Sequence, residues 1–269
     1  MALRAVSVDF EEVNGFGDAV WRADALARHA SPAGVVASGH VVLDAELPGG
    51  GWPVGALCEI LQTYSAQSEW RLLLPALCAA QKPAANLGGA SWVALIGSPH
   101  VPFGPALAAH GLDVQQLLWV KAQAPAERLW AAEQALRCAD VAAVLAWLPQ
   151  VQAAHLRRLQ MAALTHAKLL FVMRPAMAQH ASSPAVLRLL LLAQGAGFNA
   201  KLEPGALNVQ VLKRRGPPLA CTLILPARAV DLSALFGLCA GAAPVVSWAG
   251  TERKAITLER HHALDSFAA

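Results

Sequence analysis

The residues nearest to chemistry in this chain lie between positions 56 and 81, which read ALCEILQTYSAQSEWRLLLPALCAAQ. A short apolar run, 56–61, bounded by a glycine-proline turn and by polar Gln62, suits a buried strand. A polar loop, 62–69, follows, and then a helical run, 70–81. Strand, loop and helix in that order form the setting of a phosphate-binding loop. Such a loop needs glycines, so that main-chain N–H groups can wrap phosphates, and a lysine to meet their charge. The loop QTYSAQSE has neither. The position fits a nucleotide and the chemistry for one is missing.

Other constellations are sparser. Lys213, Arg214 and Arg215 are consecutive at a hairpin end, and Arg157-Arg158 sit on a helix with His155 nearby. They read either as solvated surface charge or as contacts to DNA phosphates or an acidic partner. Phosphate binding would make affinity fall steeply with salt. His261-His262 with Glu259 and Asp265 match no standard metal spacing. There is no Gly-x-Ser-x-Gly elbow and no Cys/His pair with a supporting third group. The residues therefore imply no catalytic machinery, no metal and no cofactor.

The elements that would carry these groups alternate. Strands are expected at 90–97, 117–121, 140–147 and 168–173, the last stopped by Pro175. Helices are expected at 106–110, 125–139, 152–167 and 183–194, with Pro125 and Pro184 near their first turns. From Asn199 onward the pattern changes to antiparallel strands, near 200–202, 207–213 and 220–225. Strands alternating with helices imply an α/β fold, a mostly parallel sheet flanked by helices with antiparallel C-terminal strands. Three regions follow: an N-terminal helix and linker (1–36), an α/β core (37–226) and a partly flexible tail (227–269). The first helix, from Asp18 to about Ala30, carries Trp21 as an anchor for docking within the protein or on another subunit. Residues 31–37 read as linker.

Composition bounds the rest. Over 269 residues, hydrophobic content is 56% and charged content 14%, which excludes a disordered chain. No apolar run is long enough to span a membrane. The first dozen residues contain acids and lack an apolar signal region, so a cytoplasmic protein is expected. Five scattered cysteines without a CxxC pair suit a reducing compartment. A net charge of +3 favours nucleic acid only where it is clustered.

The element order and several segments resemble the RecA recombinase core. LPGGGWPVGALCEIL resembles the segment leading into its phosphate loop, and DVAAVLAW its magnesium-binding strand. Under this resemblance the loop glycines fall at Gln62 and Gln67, the lysine at Ser68 and the magnesium-binding hydroxyl at Glu69. The catalytic glutamate falls at Pro99 and the magnesium-shell aspartate at Leu145. QVLKRRGPPL resembles the final hairpin, whose basic residues reach a neighbouring subunit's nucleotide. WRADAL near the N-terminus and LDAELPGGGWP together resemble the ImuA family of translesion-synthesis accessory proteins, some of them described as SulA-like. That resemblance implies a RecA-like core with a degenerate phosphate loop and a non-catalytic role in SOS mutagenesis. It implies partners in an ImuB-like relative of Y-family polymerases, a C-family error-prone polymerase, RecA and DNA, and an N-terminal helix that builds a homo-oligomer or binds a different RecA-fold partner. Two other readings stay open: a SulA-like cell division inhibitor, and a RecA-like ATPase with an unusual loop.

Overall fold

The computed structural model describes residues 34–63, 68–82, 91–192 and 206–227. Its frame is an eight-stranded sheet in the order β10-β9-β8-β3-β7-β6-β4-β5. The strands are β3 (Leu57–Gln62), β4 (Trp92–Ile96), β5 (Leu117–Val120), β6 (Val141–Trp147), β7 (Leu169–Pro175), β8 (Leu187–Leu192), β9 (Leu207–Lys213) and β10 (Thr222–Leu225). Strands β3 to β8 run parallel, and β9 and β10 close that side antiparallel. A separate ribbon pairs β1 (Val35–Val36) with β2 (Trp52–Pro53). The short ribbon is tight: a side chain on Gly51 would collide with the Val36 carbonyl.

Helices cover both faces, as a parallel sheet requires. On one face lie α1 (Val41–Glu46), α2 (Glu69–Gln81) and α3 (Gly104–Ala109). Leu43, Leu72, Leu73, Leu77 and Leu107 of these helices meet Cys58, Ile60, Leu145 and Phe171 of the sheet. On the other face lie α4 (Pro125–Arg137) and α5 (Ala153–His166). Their Ala132, Leu136, Leu156 and Leu159 meet Leu57, Ile96, Val144 and Val172. Alternation along each strand assigns these two sets to opposite sides. The connections leaving β3 and β4 pass over the first face and those leaving β5 and β6 over the second. The carboxyl ends of β3, β6 and β4 therefore border the place where open α/β sheets bind ligands.

The α/β class and the mostly parallel sheet agree with the sequence reading. Three expectations change. Within the helix expected at 183–194, Leu187–Leu192 form strand β8 instead. The run LRLLLL is buried on both faces, and a continuous apolar run has no period that separates helix from strand. Residues 35–36, read as linker, form β1. Residues 41–46 form a helix that was not expected, because VVLDAE combines two β-branched residues with a weak helical pattern. Trp21, Gln67, the strand expected at 200–202 and residues 228–269 lie outside the described residues, as does the paired His261-His262. No helix among the described residues is long and apolar enough to cross a membrane.

Candidate functional site

The loop that follows β3 leads into α2, and α2 starts at Glu69 rather than at Trp70. Glu69 is fully buried. Its carboxylate turns back on the helix start: Oε2 accepts the Ser68 N–H at 3.2 Å, and Oε1 accepts the Trp147 indole N–H at 3.4 Å. A helix N-terminus offers free N–H groups and a positive partial charge, which is why it binds anions. Here a carboxylate of the chain itself takes that place.

Further groups gather at the same end of the sheet. Trp147 ends β6 on the α2 side of the sheet, and the Trp70 ring lies 6.5 Å from it, tilted at 43°. Leu145, two residues earlier on the same strand face, is fully buried in the apolar core and offers no oxygen for a metal shell. Pro99 is exposed in the turn after β4. Gln62 ends β3 on the α2 side and is buried, and neither its amide oxygen nor its amide nitrogen has a hydrogen-bond partner. Arg128 braces the same end of the sheet. Its Nε donates to the Ala122 carbonyl at 3.0 Å and its Nη1 to the Trp147 carbonyl at 3.3 Å. Gly97, with φ +63°, packs directly on the Arg128 side chain, and a Cβ there would collide with it. So the structure brings Gln62, Ser68, Glu69 and Leu145 to one end of the sheet, with Trp147 as the group that sequence reasoning missed. The available signal was its place at the end of a buried strand, where an indole N–H usually finds an acceptor.

A second polar cluster was also missed. Glu59, in the middle of β3, is fully buried between the two neighbouring strands. Arg174 of β7 donates from Nη1 at 2.9 Å, and Arg188 of β8 from Nε at 2.6 Å. Arg188 also holds the carbonyls of Ala178 and Gln179 at 2.7 and 3.2 Å, and Arg174 reaches the Val151 carbonyl at 3.5 Å. This clasp ties three adjacent strands, the short 3-10 helix Ala176–His180 and the loop at Val151 on the α4/α5 side. Single charges inside LCEILQ and LRLLLL were its signature, since a buried charge needs a partner.

The basic run lies at the opposite end of the sheet. Lys213 is in register with Arg188 near the start of β8, whereas Gln62 ends β3. Lys213 Nζ donates to the Ser183 carbonyl at 3.2 Å. Arg214 is held by the Glu46 carboxylate at 2.7 Å and by the Pro217 carbonyl at 3.0 Å. Arg215 is exposed. On the α4/α5 surface Arg158 and Arg137 share the buried Glu133 carboxylate, and Arg157 is exposed. Two of the five candidate cations, Arg214 and Arg158, are thus committed to carboxylates within the chain. Among the described residues no three His, Cys, Asp or Glu side chains gather as metal ligands.

The chain matches no protein-family model. It is similar to the cell division inhibitor SulA of Edwardsiella piscicida, with 34% identity over 114 residues. That stretch is 42% of this chain and 64% of the relative, so the match spans less than two thirds of the relative's length.

Proposed function

We propose that this chain is a non-catalytic, RecA-like accessory protein of the bacterial SOS mutagenesis machinery, of the ImuA kind. It works in the cytoplasm as a bridge between an ImuB-like relative of Y-family polymerases, a C-family error-prone polymerase, and RecA or DNA. The observation that carries the reading is the Glu69 carboxylate seated at the start of α2, where a phosphate would otherwise be held. Ser68 supplies no cation, Leu145 no metal ligand and Pro99 no base for a water. One lost electrostatic element of this sort typically removes about 3–4 kcal/mol of transition-state stabilisation. Losing three leaves no route to RecA-type ATP hydrolysis. A chain that keeps the strand-loop-helix frame without the nucleotide chemistry has its surfaces left as its means of action.

The similarity to a cell division inhibitor favours a second reading, in which the chain binds a tubulin-like division protein. Affinity purification from damage-induced cells separates the two. The first reading expects the polymerase-related proteins to co-purify. Recovery of the division protein alone would overturn it in favour of the second.

A further inference from the structure

We propose that residues 8–13, which lie outside the described residues, dock in the groove between α4 and α5 of their own chain. Asp9, Glu11 and Glu12 would meet Arg137 and Arg158, and Phe10 would pack on Met161.

The groove supplies the first reason. It is open, encloses about 610 Å³, and is lined by Glu133, Arg137, Arg158, Met161 and Thr165 among others. Arg158, Met161 and Thr165 follow one another at spacings of three and four, so they share one face of α5. Arg137 and Arg158 bring two positive charges to the single buried carboxylate of Glu133, and their side chains stay 56% and 66% exposed. α5 contains no acid. The other acid of α4, Glu127, is engaged at the far end of that helix, where it accepts the Gln123 and Ala124 N–H groups. Met161 is 57% exposed. Surplus positive charge beside an exposed thioether calls for an occupant that is both acidic and apolar.

The chain contains such a segment. Residues 8–13 read VDFEEV, with Asp9, Glu11 and Glu12 inside four residues and Phe10 and Val13 between and after them. No other four consecutive residues of the chain hold three acids.

The path of the chain favours this occupant over a separate partner. The described residues begin at Gly34, which sits close to α5. Its carbonyl accepts the Val54 N–H at 3.1 Å, and the next residue, Gly55, donates to the Lys168 carbonyl at 2.9 Å. Gln160 of α5 donates in turn to the Gly55 carbonyl at 3.2 Å, and Met161 of the groove follows it. Residues 14–33 need only pass α5, and a helix is about 10–12 Å wide. Roughly twenty residues can span several times that distance. A tether also holds its segment at a local concentration on the order of millimolar, which favours the groove of the same copy. The docked acids would compete with nucleic acid for Arg158 and its neighbour Arg157.

NMR of the full chain, labelled at the methionine methyl groups, tests this. The Met161 signal is assigned by its loss in Met161→Leu. The Phe10 ring should displace that signal, and Phe10→Ala should abolish the displacement. Joint neutralisation by Asp9→Asn, Glu11→Gln and Glu12→Gln should do the same. The signals of buried Met173 and exposed Met177 should stay in place, the first showing that the core is kept. A Met161 signal indifferent to Phe10→Ala overturns the proposal. So does one that responds to Phe10→Ala but not to neutralisation, because charge would then play no part. A displacement that fades on dilution overturns it as well, since the contact would then join two copies.

Discussion

Glu59 and Glu69 flank one short loop, and both are fully buried, yet their surroundings differ in kind. Glu59 meets two guanidiniums, on strands either side of its own. Glu69 meets a main-chain N–H, an indole N–H and the positive end of a helix. The first arrangement is made of full charges and binds framework to framework. The second, among the described groups, is made of dipoles and sits at the start of a helix. Burial alone therefore does not say what a carboxylate is for. The charge of its partners, and whether they belong to the frame or to a vacant ligand position, does.

The contrast breaks most readily at Glu59. Glu59→Gln leaves Arg174 and Arg188 buried without a counter-charge, and about 3–5 kcal/mol of unfolding free energy should be lost in urea titrations. Replacing all three residues together by Leu and Met of similar volume should cost far less, because no charge is then stranded. Glu69→Gln should cost less than Glu59→Gln, about 1–2 kcal/mol, since its partners among the described groups, the Ser68 N–H and the Trp147 indole, are dipolar. Equal losses for the two glutamines would erase the distinction. Trp147→Phe keeps a smaller aromatic ring and removes one long hydrogen bond together with part of the indole packing, for about 1–2 kcal/mol. The smallest effect concerns reactivity. Burial pushes the Cys58 thiol far above its usual range, so it carries no thiolate near neutrality. Alkylation of the native protein at mildly alkaline pH should label exposed Cys138 and Cys221 and spare Cys58, as mass spectrometry of digests would show.

The sequence displays some of this and hides the rest, for physical reasons. β3, β4, β6, β7 and β9 are bounded by turns and polar residues, and their ends fall within about two residues of the expected positions. Pro125 marks the start of α4 because its missing N–H costs nothing there. β8 is hidden because burial on both faces removes periodicity. The Glu59 clasp is hidden because its members lie far apart in the chain and meet only through sheet order. At the candidate site, the missing glycines and lysine are visible in QTYSAQSE, but the seat of Glu69 against Trp147 depends on β6 lying two strands from β3. The basic residues show the converse. Adjacent in sequence, Arg214 and Arg215 part company in the fold, one held by Glu46 and the other exposed.

The most direct measurement is equilibrium binding of ATP and ADP with magnesium, followed by calorimetry, with and without single-stranded DNA. With Glu69 seated at the start of α2, no saturable binding is expected into the millimolar range, and no hydrolysis above background. Micromolar binding that is lost on changing Ser68 or Glu69 would contradict the central claim, because the carboxylate would then be a gate that a nucleotide displaces.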